Sequence, residues 1–353
     1  MTDLFYKLRY HLSSNFPFAI YSKPGSSTIT GIFQKDGRTD LRSDLTEEGF
    51  VFAPFHDGET LFIPARAADV VTGTVDFEII LKDSAVIPTN LIAKEDFEGM
   101  VSDALIAINQ GQFQKVVLSR KLALDGSLDM EKTFKNILKV YPKAFRYCFY
   151  HPVCGLWMGA TPEQLLHVEG KEMKTVALAG TQIFKEVQEA VWEEKERQEQ
   201  KFVTDFITDS IGDFVTDIDR TEPYTFRAGN IVHIKTDISG RLKDVSKLKE
   251  VIQALHPTPA ICGVAREDAL KFILHKEKYD REYYSGFLGE VNCKDDRLNV
   301  VQTDLFVNLR CMKLEDGKAN LYVGCGITEG SNPEKEYVET VNKAATMASV
   351  LTN

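Results

Sequence analysis

RYCFYHPVCGLWMGATPEQLLHVEGKEMKTVALAGT, residues 146–181, constrains the fold class more than any other part of the chain. It contains four short strand-like runs, RYCFYHP, GLWMGAT, LLHVEG and MKTVALAGT, and only a few residues separate each run from the next. Such runs joined by short turns predict antiparallel hairpins. Parallel strands would instead need a long crossover, usually a helix, between them. The stretch therefore predicts an α+β protein built on antiparallel sheets.

The chain before this stretch predicts further strands. The runs PFAIYSK, STITGIFQ, GFVFAPF and TLFIPA lie before about Lys82, with turn residues between them. Residues 83–90 predict a connection, and residues 94–110 predict a helix that ends at Gly111. FQKVVLSRKLAL, residues 113–124, has apolar side chains on both faces, which is typical of a strand covered on both sides.

Lys115 stands out in that strand because it shares a face with Phe113 and Val117. A lysine that points into packed surroundings loses hydration, which favours its neutral form and lets it act as a base. Alternatively, Lys115 lies at the start of the strand and extends its amine into solvent. The local pattern leaves both interpretations open.

QEAVWEEKERQEQKFVTDFITDSI, residues 188–211, predicts one long helix without Gly or Pro. Its second half carries an apolar stripe that includes Val203 and Ile207, and the same spacing continued backwards reaches Glu199 and Glu196. Buried carboxylates one turn apart repel each other unless a cation or a proton shares the site. Taken alone, this half of the helix is interpreted as solvent-exposed. A second set of acids and an anionic substrate would reverse that interpretation.

The following segment, IVHIKTDISGRL, predicts a pair of strands, and residues 244–255 and 266–276 predict two helices. Between these helices, HPTPAICG predicts a rigid loop that begins at His256. VQTDLFVNLRCMKL predicts one strand that places Arg310 on a face with Phe306. A buried arginine is costly unless it meets an anion, whereas an arginine on an edge strand is commonly exposed.

The last strand, ANLYVGCGI, ends in Gly324-Cys325-Gly326, and Ser331 is predicted to cap the final helix. Glycines beside a helix N-terminus let backbone amides face a carboxylate, although the same pattern also serves plain turns. Within the helix, Glu336, Glu339 and Lys343 share one face. They form either a functional cluster or, for the last two, an ordinary surface ion pair.

The composition of the 353 residues argues against several classes of protein. A net charge of −10 and the lack of a basic stripe argue against a nucleic-acid partner. The six cysteines have no CxxC spacing, which argues against a disulfide framework and a structural zinc site. No apolar run reaches transmembrane length, and no signal-peptide core is recognisable, so we expect no membrane partner and a cytoplasmic location. P-loop, HExxH and GxSxG motifs are also missing.

The features that remain are two E-x-x-E helices, Lys115, a glycine-rich helix entry and Glu163, which lies in the corner Thr161-Pro162-Glu163. A glutamate in a turn is usually exposed, so Glu163 carries little weight by itself. Converging carboxylates suit Mg²⁺, which takes one or two protein carboxylates together with water and substrate oxygens. The residues alone therefore point to a magnesium-dependent enzyme that acts on a small anion.

Taken together, the motifs resemble those of the chorismate-utilising enzymes, and most of all the isochorismate synthases. They are FQKVVLSR, GATPEQLL, LAGT, KERQE, LHPTPAICG, YYSGFLG, VNLR, and VGCGI with SNPEKEYVETVNK. The resemblance runs from about residue 94 to residue 353, and residues 1–90 match only loosely. It implies one large α+β domain over residues 1–353, with two stacked antiparallel sheets as the core and helices outside.

The resemblance also implies a role for each matching residue. Lys115 would activate the water that attacks C2 of chorismate, and Glu163 would protonate the departing C4 hydroxyl. Glu199 and Glu339 would be direct Mg²⁺ ligands, with Glu196 and Glu336 as the remaining metal acids. The substrate-binding positions would be Gly180, Thr181, His256, Ala260, Ile261, Tyr284, Arg310, Gly324, Gly326 and Lys343.

The resemblance covers enzymes that form different products from chorismate. Anthranilate synthases usually carry Gln at the Lys115 position, and aminodeoxychorismate synthases typically have Lys where this chain has Ala179, so both differences favour water as the nucleophile. Salicylate synthases share Lys115 and Glu163 but go on to eliminate pyruvate. A chorismate-binding protein without activity is the alternative from another class. We expect a monomer without an obligate partner subunit, which supplies isochorismate to menaquinone or siderophore synthesis.

Overall fold

The computed structural model describes residues 2–39, 41, 45–75, 85, 87, 90–125, 129–183, 190–228, 231–295 and 300–351. Elements are numbered in chain order. The helices are α1 (Thr2–Ser14), α2 (Leu91–Asn109), α3 (Met130–Val140), α4 (Glu194–Ile211), α5 (Leu248–Leu255), α6 (Arg266–Lys276) and α7 (Pro333–Ala348). In the described part of the chain, none of these helices has the length and apolarity needed to cross a membrane.

The strands form two large sheets, and the strand pairs within both sheets are antiparallel. The first sheet runs in the spatial order β14 (Gly263–Val264), β6 (Lys115–Asp125), β18 (Lys318–Ile327), β17 (Cys311–Glu315), β8 (Gly155–Thr161), β7 (Phe145–His151), β1 (Phe18–Ser22), β2 (Thr28–Gln34) and β5 (Ala68–Thr74). The second runs β11 (Val215–Arg220), β13 (Ile231–Leu242), β10 (Glu172–Ile183), β9 (Gln164–Glu169), β16 (Val300–Val307), β15 (Phe287–Asp295), β3 (Gly49–Ala53) and β4 (Leu61–Pro64), with β12 (Tyr224–Ala228) also paired to β13. The predicted α+β fold is confirmed.

An aromatic core joins the two sheets. Phe52 of the second sheet lies 4.4 Å, between ring centroids, from Phe149 of the first. Phe306 and Phe145, again one from each sheet, stack at 4.2 Å. Fully buried aromatic rings contribute large apolar areas, and paired rings add further stabilisation. The two sheets are therefore stacked face to face, as the resemblance implied.

Helices cover the outer faces of the sheets. The apolar sides of α1 and α3 pack on the first sheet, and those of α4 and α5 pack on the second. Helices α2, α6 and α7 bury Phe97, Ile273 and Tyr337 against the outer side of β6 and β18. The first 90 residues contribute strands to both sheets, with β1, β2 and β5 in the first and β3 and β4 in the second.

The chain passes directly from one sheet to the other at two corners. Strand β8 of the first sheet leads through Pro162 and Glu163 into β9 of the second, and β16 leads through residues 308–310 back into β17 of the first. The prediction of one continuous strand over VQTDLFVNLRCMKL is therefore wrong, because the backbone turns at Arg310 with φ of 48°. The two corners are hydrogen-bonded to each other, since the Val307 amide donates to the Glu163 carbonyl and the Ala160 amide to the Arg310 carbonyl.

Asn308 fixes the second corner. Its side-chain amide is fully buried, donates to the Tyr283 carbonyl at 2.8 Å and accepts from the Tyr147 hydroxyl at 2.5 Å. Its backbone amide donates to the Gly286 carbonyl, and its carbonyl accepts from the Ser285 amide. A buried amide whose polar atoms are satisfied holds one conformation, so the corner is rigid.

Several predicted boundaries differ from the structure. IVHIKTDISGRL is one long strand, β13, that pairs with neighbours on both sides. Helix α4 begins at Glu194 because Glu193 and Glu196 form a capping box there, so residues 190–193 are not helical. Helix α7 is capped by the Asn332 side chain and not by Ser331. The strand β5 and the helices α1 and α3 were not predicted, and most of the predicted connection over residues 83–90 lies outside the described residues.

Candidate active site

A cavity of about 150 Å³ opens where the two corners meet α4 and α7. This volume suits a small molecule with one ring. Thirteen of the sixteen predicted site residues line it: Glu163, Gly180, Glu196, Glu199, Ala260, Ile261, Tyr284, Arg310, Gly324, Gly326, Glu336, Glu339 and Lys343. Segments that are far apart in sequence therefore converge on one site.

Glu163 reaches the cavity from the first corner and is only 6% exposed. Burial raises the pKa of its carboxyl to about 7, and the positive charges of Lys115, Lys343 and Arg310 limit the rise. Burial dominates because a carboxylate loses more hydration energy than these cations return. At neutral pH a substantial fraction of Glu163 is therefore protonated and can donate a proton.

Lys115 lies beneath the cavity at the start of β6 and is 1% exposed, which rules out the solvent-exposed interpretation. Its Nζ atom pairs with Oε1 of Glu199 at 2.9 Å. Gly326 of β18 is packed against this pair, since a Cβ atom there would lie 2.5 Å from Glu199 Oε1 and 3.0 Å from Lys115 Cε. Residue 326 must therefore be glycine for both side chains to keep their positions.

Four carboxylates from α4 and α7 face the same cavity. Glu336 is buried, the side chains of Glu199 and Glu339 are 14% and 30% exposed, and Glu196 is partly buried while its carboxylate caps α4. Carboxylates that line one cavity repel each other unless cations or protons offset their charge. The interpretation of this part of α4 as solvent-exposed is therefore wrong for Glu199. Glu196 is intermediate between buried and exposed.

The four acids present only carboxylate oxygens to the cavity. Within the described residues, no three His, Cys, Asp or Glu side chains form a group that could hold a metal by themselves. Mg²⁺ does not need such a group, because it keeps waters and takes one or two carboxylates together with substrate oxygens. Oxygen-only donors on two helices that face a cavity fit that requirement, so the residues present suit Mg²⁺.

The cations lie on the side of the cavity near α7. Lys343 pairs with Glu339 at 2.7 Å and donates to the Gly324 carbonyl at 2.9 Å. Burial would lower the pKa of Lys343, but the Glu339 carboxylate outweighs it and the pKa is raised, so this amine stays charged. Burial lowers the pKa of Arg310, yet a guanidinium remains charged at any physiological pH. Two partly buried cations at one cavity favour a ligand that carries carboxylates.

Besides Lys115, which lies beneath the cavity, two predicted residues are not placed in its lining. The ring of His256 points away, with Nε2 3.2 Å from the Phe55 carbonyl and its edge against Phe287. Burial lowers the pKa of His256 to about 4, so the ring is neutral. The side chain of Thr181 lies outside the described part of the chain, although its backbone belongs to β10.

The histidine that lines the cavity is His233 of β13, which the sequence analysis did not single out. Its Nδ1 atom lies 2.8 Å from the Gly180 carbonyl, which can only accept, so Nδ1 carries the proton and Nε2 is an acceptor. Burial, and then the charge of Arg310, lower the pKa of His233 to about 3. The sequence does show a polar residue between the apolar Val232 and Ile234. This pattern identifies a site residue only once the neighbouring strand is known.

The chain is similar to known proteins of one family. Residues 70–352 match the family model described as "Chorismate binding enzyme". The chain is 31% identical over 269 residues to the salicylate biosynthesis isochorismate synthase of Pseudomonas aeruginosa, which covers 73% of this chain and 55% of that protein. It is 28% identical over 287 residues to isochorismate synthase MenF of Bacillus subtilis, which covers 76% of this chain and 58% of that protein. The chain thus spans little more than half the length of these relatives.

Two solved structures share the fold. The crystal structure of a putative 2,3-dihydroxybenzoate-specific isochorismate synthase, DhbC, from Bacillus anthracis superposes with a TM-score of 0.80, at 22% identity and over 98% of both chains. Anthranilate synthase component I from Streptococcus pneumoniae superposes with a TM-score of 0.68, at 19% identity, over 94% of this chain and 89% of that one. Proteins with different names therefore share this architecture.

Proposed function

The chain belongs to the family of chorismate binding enzymes, and on that premise we propose that it converts chorismate into isochorismate. The observation that carries the proposal is the pairing of two buried groups at one cavity, a lysine beneath it and a glutamic acid of raised pKa beside it. Lys115 is 1% exposed and Glu163 is 6% exposed, so both groups are shielded from bulk solvent. The names of the relatives from Pseudomonas aeruginosa and Bacillus subtilis support the same activity.

In the proposed reaction, Lys115 in its neutral form takes a proton from the water whose oxygen bonds to C2 of the ring. The ring double bonds shift, the C4–O bond breaks, and protonated Glu163 gives its proton to the departing hydroxyl, which leaves as water. One water enters and one leaves, so the reaction is an isomerisation. A base and an acid whose environments differ can perform the two proton transfers at one pH.

The other residues would bind and orient the substrate. Arg310 and Lys343 supply positive charge for its carboxylates, and Tyr284 lies beside Gly324, where a Cβ atom would be 3.0 Å from the tyrosine hydroxyl. Neutral His233 presents Nε2 as an acceptor for a ring hydroxyl. Ala260 and Ile261 add apolar surface to the cavity lining.

We propose Mg²⁺ as the cofactor, held directly by Glu199 and Glu339, with Glu196 and Glu336 as the other acids of the site. When bound, the ion supplies positive charge that neutralises these acids and one substrate carboxylate. Glu199 also contacts Lys115, so the same carboxylate orients the proposed base. We further propose that the enzyme acts as a cytoplasmic monomer and supplies isochorismate to menaquinone or siderophore synthesis.

Removal of magnesium should abolish turnover, and the Glu339→Gln variant should need at least about tenfold more Mg²⁺ for half-maximal rate, because a direct ligand is lost. Together, Mg²⁺ and chorismate should raise the melting temperature by several degrees, as a ligand at about 100 times its Kd stabilises by about 2.7 kcal/mol. Thermal melts and rates after chelation and re-addition of the ion measure both effects.

The control for this prediction is Glu334→Gln. Glu334 lies on the same helix, but its side chain is 74% exposed and it does not line the cavity. This variant should keep the magnesium requirement of the unaltered protein. If millimolar Mg²⁺ and chorismate do not change the melting temperature, this would argue against the four glutamates as a metal site.

Incubation of the purified protein with chorismate and Mg²⁺, followed by chromatography of the products, tests the proposed function. We expect isochorismate. Salicylate and pyruvate as main products would instead assign the chain to the salicylate synthases. Tight chorismate binding in a calorimeter without Mg²⁺, together with no conversion, would identify a binding protein without activity.

A further inference from the structure

A buried ion pair lies behind the cavity wall. It joins Glu277, just after α6, to Arg281, and each side chain is only 2% exposed. Two hydrogen bonds make the pair bidentate, from Arg281 Nε to Glu277 Oε2 at 2.8 Å and from a terminal nitrogen to Oε1 at 2.6 Å. The guanidinium also stacks over the Phe55 ring, 4.3 Å from its centroid.

The remaining donors of Arg281 hold two parts of the cavity wall. One terminal nitrogen donates to the Val117 carbonyl at 2.6 Å, two residues along β6 from Lys115. The other donates to the Ile261 carbonyl at 3.0 Å, in the loop between α5 and α6. Val117 and Ile261 both line the cavity, so one guanidinium sets the spacing between the strand of the proposed base and the loop opposite it.

Glu277 holds the same strand, β6, two residues further along the chain. Its Oε1 atom accepts from the backbone amide of Ser119 at 2.7 Å and from the Ser119 hydroxyl at 2.8 Å. Arg281 also begins the turn that carries Tyr284, since the Tyr284 amide donates to the Arg281 carbonyl. The pair therefore connects β6, the loop and the tyrosine turn through backbone atoms.

Stability alone does not explain a pair of this kind. The cost of removing both charges from water is comparable to their mutual attraction, and replacing both by apolar side chains is often neutral or stabilising. A function in setting geometry is the better-founded explanation here, because the hydrogen bonds end on the backbone of cavity residues. A misplacement of about 1 Å at a reacting group can lower a rate by about 10²-fold.

We propose that Arg281 and Glu277 are positioning residues, which hold Lys115 at the distance from the substrate loop that the reaction requires. They touch neither substrate nor metal and act through the Val117, Ser119 and Ile261 backbone. The inference rests on the proposed function for its effect on rate. The structural part, that the pair holds β6 and the loop in place, can be tested without any turnover.

The main test is the double variant Glu277→Met/Arg281→Met, which removes both charges at similar volume. It should melt cooperatively near the temperature of the unaltered protein, while kcat falls by about 100-fold. KM for chorismate should change less than kcat, because Arg310 and Lys343, which would hold its carboxylates, lie on other segments of the chain. Hydrogen exchange followed by mass spectrometry should show faster exchange in peptides that cover residues 115–119 and 258–263. Arg281→Lys keeps the charge but cannot reach both carbonyls, and it should show a smaller change in the same direction.

Arg146→Met is the matched control. Arg146 is fully buried and donates to the carbonyls of Leu138, Lys23 and Ser26, and it does not line the cavity. Its loss should lower the melting temperature and leave kcat unchanged, which separates destabilisation from mispositioning.

Unchanged exchange in both peptides, or a kcat within about threefold of the unaltered protein, would overturn the inference. If the double variant does not fold, Arg281→Lys decides by the same two measurements. If the unaltered protein does not convert chorismate, the proposed function fails, and the exchange data alone still decide whether the pair holds the wall.

Discussion

Replacement of Glu163 by glutamine should lower kcat by about 10³-fold or more, because the amide cannot give a proton to the departing hydroxyl. The substitution keeps the shape of the side chain at a corner where 6% of the residue is exposed. Chorismate should still bind, since the cations that would hold its carboxylates remain. Steady-state kinetics and calorimetry on the same preparation measure both quantities.

The pH dependence gives this prediction a second readout. With the pKa of Glu163 raised to about 7, the protonated fraction, and with it kcat, should fall about tenfold per pH unit above that value. The raised pKa also means that the ionised form costs stability, and that this cost grows as the pH rises from about 4.5 through 7. Glu163→Gln removes an ionisation that costs about 3 kcal/mol, so it should unfold less readily than the unaltered protein at pH 8.5.

Glu172→Gln is the control, since Glu172 lies at the other end of the β9–β10 hairpin with a side chain that is 61% exposed. It should change neither the rate nor the pH profile. A Glu163→Gln variant with near-normal kcat would show that another group protonates the leaving oxygen.

Replacement of Lys115 by glutamine should lower kcat by about 10²- to 10⁴-fold, because the attacking water loses its base. KM for chorismate should change only a few-fold. Without magnesium, the variant should also be less stable by about 1–3 kcal/mol, since Glu199 loses the partner that lies 2.9 Å away. Chemical denaturation with and without Mg²⁺ should show the ion reducing this difference.

Lys121→Gln is the matched control on the same strand. Lys121 is exposed near the middle of β6, whereas Lys115 is buried at its start. The control should keep both its rate and its stability. A Lys115→Gln variant that turns over chorismate at a near-normal rate would remove Lys115 from the proposed reaction.

The sequence predicts those parts of the fold that depend on local periodicity. The hairpins over residues 146–181 and the apolar stripe of α4 appear where the pattern placed them. The corner at Arg310 does not appear in the pattern, because both flanking strands are apolar and only the backbone turn sends them to different sheets. The rigidity of that corner depends on Tyr147, which is 161 residues away in the chain.

The candidate site was only partly predictable from its residues. The alternation around Lys115 left a buried and an exposed amine equally open, and the structure shows that the amine is buried. Glu163 gave no local signal beyond a turn and depended on the family resemblance, because its environment comes from Arg310 and Lys343, far along the chain. Glu277 and Arg281 look like ordinary surface charges in EKYDRE, and only the packing of α6 against β6 buries them.

The incorporation of solvent oxygen shows whether this chain adds water to C2 of chorismate with loss of the C4 hydroxyl. The protein is incubated with chorismate and Mg²⁺ in water enriched in oxygen-18, and the product is separated and weighed by mass spectrometry. We expect isochorismate with one heavy oxygen, located in the C2 hydroxyl, and no label in the enolpyruvyl group. Unlabelled isochorismate, or salicylate with pyruvate as the main products, would contradict the proposed reaction.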